Sequence, residues 1–311
     1  MSVTGLEAIL IAGPTASGKS ALAVRLAREL GGTVVNADSM QVYGDLRILS
    51  ARPSPDEEAA APHRLFGHVD GAVNFSVGHY VEQASSVLAE ICGSGRVAVV
   101  TGGTGLYFKA LTEGLSDLPR VPDSVRAAVR AQAESRSAAE LHAGLAARDP
   151  ETAARLRPSD RQRVLRALEV LEATGQPLAS LQGARRPGWL ARRRWRGLFL
   201  SPARETLRER IDRRFVTMVE TGALDEVGRL GARGLDPALP VMRAHGVPAL
   251  LGHLRGEMSL DEAVRRGQAD TRAYAKRQVT WFRHQMPGWH AVPPEEAPEA
   301  ARTLLAGAGP E

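Results

Sequence analysis

The chain has 311 residues, 43% of them hydrophobic, and a formal net charge of +5. That length supports one large domain or two moderate ones around a sizeable core, and no apolar run approaches the roughly 18 to 20 residues that a membrane span needs. The opening MSVTGLEAILIAG lacks the features of a secretory leader, and the single cysteine, Cys92, excludes an internal disulfide and a cysteine metal cluster, so a cytoplasmic protein with no membrane attachment is expected.

In chain order, EAILIAG reads as a short buried strand, and the loop after it opens the helix KSALAVRLAREL, which ends at Gly31 and Gly32. TVVNAD gives a second strand. HYVEQASSVLAEICGSG is a helix closed by glycines, with Cys92 as a small buried apolar group, and RVAVVTGG is a third strand apolar enough to be covered on both faces. Strands alternating with helices imply a parallel sheet. From about Pro119 to Ala184 the strand signal vanishes, and DSVRAAVRAQAESRSAAELHAGLAA, PETAARL and SDRQRVLRALEVLEATG read as helices, the last capped by Ser159 or Asp160. The strand pattern returns in WRGLFLS, followed by helices in RETLRERIDRRFVTMVE, ALDEVGRLGARG and SLDEAVRRGQADTRAYAKRQVTWFRHQ. The expected fold class is α/β: a parallel sheet flanked by helices and interrupted by an all-helical insertion. Its expected boundaries are 1–117 and 197–292 for the core, 118–196 for the insertion and 293–311 for a flexible tail rich in Pro, Ala and Glu.

Charge is unevenly placed. Between Leu118 and Leu200 there are 16 arginines against 8 carboxylates, a net of +8, which leaves −3 for the rest of the chain. A localised excess of this kind suits a polyanionic partner larger than a metabolite.

Gly13, Gly18, Lys19 and Ser20 match GxxxxGK[ST] between a strand and a helix. In that setting residues 13 to 20 (Gly13, Pro14, Thr15, Ala16, Ser17, Gly18, Lys19, Ser20) cradle an anion, with N–H groups of the loop and of the helix N-terminus facing it; Lys19 adds positive charge and the Ser20 hydroxyl can ligate Mg²⁺. The motif says that a di- or triphosphate binds, not which bond breaks. A phosphotransferase usually holds its Mg²⁺ with an acid at the end of a neighbouring strand, yet VAVV runs into TGGTG with no carboxylate. The carboxylate at a strand end near the loop is Asp38, in NADSMQVY. It is placed either to serve an attacking nucleophile as base or to cap the next helix. His63, His68 and His79 form no metal cluster by spacing, and Trp189 and Trp195, set among arginines, suit base stacking or core anchoring equally.

GPTASGKS, ADSMQVY, APHRLF, TGGTGLYFKAL, RQRVLRALEVLEATGQPL, LPVMRAHGV and TRAYAKRQVTWFR, in this order over about residues 8 to 290, resemble the tRNA dimethylallyltransferases, also called tRNA isopentenyltransferases. The resemblance implies a P-loop NTPase-like sheet with a helical insert, Mg²⁺ as cofactor, and transfer of a dimethylallyl group from dimethylallyl diphosphate to N6 of the adenosine 3′ of the anticodon. It implies that Lys19, Thr15 and Arg214 meet the leaving diphosphate and that Asp38 binds N6 and takes its proton. It also implies that Ser39, Met40, Gln41, Thr101, Gln162, Arg163 and Arg166 contact the tRNA anticodon stem-loop, within a segment where Val164 and Leu165 pack inward, and that the arginines of GARRPGWLARRRWRG meet phosphates. One chain is expected to act alone. Asn36 where the family often has Ser, ILSARP for Gly-Thr-Ala-Lys-Pro, and Gly67 for Asp are departures that bear on residues 48 to 70. A P-loop kinase of a small metabolite and a non-catalytic RNA-binding protein are the competing readings.

Overall fold

A computed structural model describes residues 5–119, 121–181 and 185–306. Two compact units emerge, one from Met1–Glu113 with Trp189–Glu311 and one from Gly114–Gly188.

The first unit begins with β1 (Ala8–Ala12), buried at every position, and α1 (Lys19–Leu30), which stops where Gly31 adopts φ 62°. β2 (Thr33–Asn36) follows, then α2 (Pro55–Ala60), β3 (His63–Arg64), α3 (Val77–Gly93), β4 (Ala98–Gly102) and α4 (Gly105–Thr112). The second unit holds β5 (Leu115–Ser116), α5 (Asp123–Ala133), α6 (Ala138–Arg148), α7 (Pro150–Arg155), α8 (Arg161–Thr174), α9 (Leu178–Leu181) and β6 (Arg185–Arg186). Its core is Leu141, Leu145, Val164, Ala167 and Val170, and β5 and β6 pair antiparallel at its base. The chain then returns to the first unit with β7 (Trp195–Leu200), α10 (Arg204–Met218), a π-helical turn (Val219–Ala223) and α11 (Leu224–Ala232). A 3₁₀ turn (Val241–Arg243), α12 (Val247–Leu254), α13 (Leu260–Gln285), β8 (His290–Val292) and α14 (Ala297–Ala306) complete it.

The six-stranded sheet runs β3-β2-β4-β1-β7-β8 with every pair parallel. Alternation along the strands separates two apolar layers. Leu10, Val35 and Val100 pack with Tyr80, Leu88, Phe108 and Phe282 from α3, α4 and α13; Ile9, Ile11, Val34 and Val99 pack with Leu22 and Leu26 of α1. Ala12 is level with Gly102 and Asn36 with Thr101, so the loops after β1, β2 and β4 leave the same edge of the sheet.

Two expectations change. The segment expected to fray carries α14, whose Ala297, Ala301 and Leu305 are buried against the α1 side of the sheet; an apolar stripe at helical spacing outweighs the Pro and Glu around it, while residues 307–311 lie outside the described residues. Cys92 is partly buried, its thiol 3.5 Å from the Glu7 carbonyl oxygen and pushed up in pKa by burial.

Candidate active site

The loop after β1 turns on Gly18, at φ 89°, with Ala16 also left-handed at φ 60°. The Ser17 amide donates to the Pro14 carbonyl at 3.3 Å. Gly13 has to be glycine, because a Cβ there would lie 2.7 Å from Ser17 Oγ. Lys19 is buried and its Nζ donates to the Pro14 carbonyl at 3.2 Å. Burial pulls its pKa down to about 8, Asp38 opposing that shift and Arg214 adding to it. Arg214, from α10, is itself lowered by burial, with Glu57 and Asp38 acting the other way. Buried Lys19 and half-buried Arg214, with no carboxylate hydrogen-bonded to either among the described residues, make a site short of negative charge.

Asp38 follows β2 and sits in a turn, not at a helix start: its Oδ1 accepts from the Met40 amide at 2.9 Å. Of the two roles left open by its spacing, the cap is therefore confined to this local turn. Fully buried Asn36 fixes the backbone beneath it, accepting from the Asp38 amide at 2.8 Å and donating to the Asp38 and Leu65 carbonyls at 2.9 and 3.0 Å. The departure from Ser at this position thus supplies a longer side chain that bridges two strands' ends. Thr104 accepts from the Ser39 amide at 2.9 Å.

The acid-free end of β4 is explained by close approach. A Cβ on Gly102 would lie 2.1 Å from the Ala37 backbone, one on Gly103 would lie 2.1 Å from Gln278 Nε2 and 3.2 Å from Asp38 Oδ2, and one on Gly105 would meet the Trp281 ring at 2.1 Å. Gln278, buried on α13, joins the loops: its Oε1 accepts from the Thr15 amide at 3.1 Å and its Nε2 donates to the Gly103 carbonyl at 2.9 Å. Tyr274, one turn earlier, hydrogen-bonds with Thr104 and Gln278, and burial and Asp38 hold its phenol well above its ordinary pKa.

One pocket draws these parts together. Thr15 and Ala16 of the phosphate-type loop, Asp38 and Arg214 share its lining with Met40, Leu49, Ile211, Phe215 and Met218. His245 and Tyr274 also face it, their rings 4.5 Å apart, and burial lowers the His245 pKa. Charged and hydrogen-bonding groups therefore share the pocket with an apolar surface.

The family model for IPP transferase matches residues 41–285, and that for isopentenyl transferase matches residues 6–71. The chain belongs to the IPP transferase family. It is 66% identical to a tRNA dimethylallyltransferase of Methylobacterium nodulans, over 97% of this chain and 99% of that protein. A second tRNA dimethylallyltransferase, from Rhodopseudomonas palustris, is 60% identical over 96% of this chain and 94% of its own. Among solved structures, the full-length tRNA isopentenylpyrophosphate transferase of Bacillus halodurans superimposes with a TM-score of 0.69 at 32% identity, covering 97% of this chain and 96% of its own. A eukaryotic dimethylallyltransferase described as acting on tRNA gives 0.74 at 28% identity, over 88% of this chain and 69% of that one.

Within this family member, the residues expected to touch RNA have differing surroundings. Gln41 turns inward, donating to the Ser50 and Ala51 carbonyls at 3.0 and 2.7 Å. Thr101 is buried within β4 with no partner for its hydroxyl. On α8, Asp160 is the cap, accepting from the Arg163 amide. Val164 is in the core and Leu165 packs against it, as expected of that helix face. Arg166 lies 3.7 Å from buried Glu169, which Arg130 also meets at 3.1 Å; Gln162 and Arg163 are exposed. Trp189 lies under the Arg193 guanidinium at 3.8 Å, and Trp195 packs with Trp289; all three tryptophan rings rest, partly buried, against the core. Arg193 also pairs with Glu7 and Arg186 with Asp117; Gly183 and Ala184 of the arginine-rich stretch lie outside the described residues. Gln278 and Tyr274 lie within TRAYAKRQVTWFR, but nothing in that stretch singled them out as site residues, and Glu57 had no signal at all, because each acts through long-range packing.

Proposed function

We propose that this chain transfers the dimethylallyl group of dimethylallyl diphosphate to N6 of the adenosine 3′ of the tRNA anticodon, giving N6-isopentenyladenosine and diphosphate. The observation that carries the reading is the shared pocket: Arg214 and Asp38 line it, Lys19 lies close enough to feel the charge of both, and Met40, Leu49, Phe215 and Met218 supply an apolar wall. Such a wall suits an apolar group better than a phosphoryl group. Against a five-carbon chain it contributes about 4 kcal/mol at the usual gain per buried carbon.

In this mechanism the bond from C1 of the donor to the bridging oxygen breaks and the bond from C1 to N6 forms. Asp38 accepts the N6 proton. Negative charge gathering on the departing diphosphate meets the amides of Gly18, Lys19 and Ser20 where α1 begins, the Lys19 ammonium and Arg214, with the Thr15 hydroxyl at the bridging oxygen. That the leaving group, and not a transferred phosphorus, is what the loop stabilises accounts for a β4 end without an acid. Adenine stacked in its loop has to swing out to reach Asp38, at a cost of a few kcal/mol; Ser39 and Met40 flank its path, while Gln162 and Arg163 of α8 meet the RNA backbone. Among the described residues no three His, Cys, Asp or Glu side chains are grouped to hold a metal. Ser20 nevertheless suits Mg²⁺ that arrives on the donor phosphates, an ion that typically takes one or two protein oxygens and keeps its waters. When bound, Mg²⁺ supplies further neutralisation of the diphosphate.

In this reading one chain acts alone. No described helix is long and apolar enough to cross a membrane, and the cytoplasm is where the reading sets the reaction. The test is incubation of the purified protein with labelled dimethylallyl diphosphate, unmodified tRNA and Mg²⁺. Label is expected in the RNA. Its absence from protein that binds pyrophosphate, or transfer of phosphate from ATP to an acceptor, would overturn the proposal.

A further inference from the structure

A buried carboxylate outside the pocket holds three successive backbone amides that shape one of its walls. Glu226, on α11, is 5% exposed. Its Oε1 accepts from the Arg47 and Ile48 amides, the latter at 2.9 Å, and its Oε2 accepts from the Leu49 amide at 2.9 Å. The far end of the same loop is tied by Gln41 through the Ser50 and Ala51 carbonyls, and Ala51 is held at φ 54°. Leu49, Ser50 and Ala51 line the pocket, whereas Glu226 does not. Beneath the loop, Ile48 Cδ1 lies 3.5 Å from where a Cβ on Gly222 would be, in the π turn that joins Arg214's helix to Glu226's.

We infer that Glu226 is a positioning residue for donor recognition: by fixing the backbone of residues 47 to 49 it sets Leu49 against the carbon chain, and so governs selection of the prenyl group apart from the diphosphate. The inference rests on the prenyl-diphosphate reading above. Carboxylate chemistry is what the place demands. Three N–H donors point at two oxygens that only accept, while a glutamine would turn an NH₂ donor against one of those amides and leave it unpaired. The loop would then relax away from that geometry, and the wall with it. Lys19, Arg214 and the amides of residues 13 to 18 take no part in this bonding, so the anion's contacts stay in place.

The test compares the full chain with its Glu226→Gln variant, measuring calorimetric affinity for inorganic pyrophosphate and for the unreactive dimethylallyl S-thiolodiphosphate, both with Mg²⁺. The wild-type protein should prefer the prenylated ligand. In Glu226→Gln that preference should shrink about tenfold, with pyrophosphate affinity within about twofold of wild type. In turnover, KM for the donor should rise by a similar factor, with kcat and KM for tRNA within about threefold. An equal loss for both ligands, or an unchanged preference, overturns the inference. Should Glu226→Gln fail to fold, Gln41→Leu loosens the other end of the loop and must give the same selective loss, smaller in size; equal effects on both ligands there also overturn it. The two readings fail differently: wild-type protein that puts no label into tRNA ends the proposed function, whereas normal labelling with an intact preference in the variants ends only this inference.

Discussion

Asparagine at position 38 keeps an oxygen able to accept from the Met40 amide but removes the charge that takes a proton. Asp38→Asn should therefore lower single-turnover transfer by about 10² to 10⁴-fold while tRNA affinity by filter binding stays near wild type; near-full turnover would leave Asp38 only its turn. Lys19 sets a pH limit. Its pKa of about 8 means that the free protein loses this charge as pH rises through 8, so pyrophosphate affinity should be level below that point and decline above it, which calorimetry across pH 7 to 10 checks. The same depression makes the unfolded chain bind more protons between about 8 and 10.5, so this group's effect on folding is unfavourable at neutral pH, by roughly 3 kcal/mol, and relaxes as pH rises. Gly103→Ala would drive a methyl group into Gln278 and toward Asp38; we expect more than a tenfold loss of kcat/KM with little change in overall secondary structure by circular dichroism. The phosphate-type loop and Asp38 were legible in the sequence because their chemistry is local. Gln278 and Glu226 were not: a glutamine or glutamate in a helical pattern reads as solvated until the fold brings Thr15 or the 47–49 amides to it. The bonds of Gln41 to the Ser50 and Ala51 carbonyls were not legible either, since position beside Asp38 says nothing of which way a side chain turns.

At the scale of single elements, helix starts and stops were well signalled where a capping residue or glycine stood at the boundary. Asp160 caps α8 and Gly175 closes it at φ 67°. α2 escaped notice although Ser54 and Glu57 form a capping box there, because its six residues have no buried face to give an apolar period. α12 lacks a side-chain cap and carries apolar residues on all sides, as a buried helix does. On α8 the arginines divide by environment: Arg163→Ala, at an exposed position, should weaken tRNA binding and reduce the salt slope by about one. Arg166→Ala, beside buried Glu169, should instead act chiefly on the stability of the helical unit, which denaturant unfolding reports. An Arg163 variant with an unaltered salt slope would mean that its side chain meets no phosphate.

For the whole molecule, the alternation of strands and helices made a parallel sheet readable and the loss of strand signal marked an insertion. Composition misjudged the C-terminus, because Pro and Glu mask the buried stripe of Ala297, Ala301 and Leu305. Ending the chain at residue 296 should cost on the order of 2 to 3 kcal/mol by removing that stripe, visible as a lower Tm, where a frayed tail would cost nothing. The sheet order has a temporal side. β1 is flanked by β4 and β7, yet β7 follows it only after the entire second unit has been made. At ordinary ribosomal speeds the growing polypeptide spends roughly 10 to 40 s with its central, wholly apolar ribbon open along one side. The inserted helices, whose partners are near in sequence, can fold within that interval. Newborn chains halted before Trp195 should thus be the ones that chaperones hold and that aggregate, and chains released after Leu200 the first to resist protease.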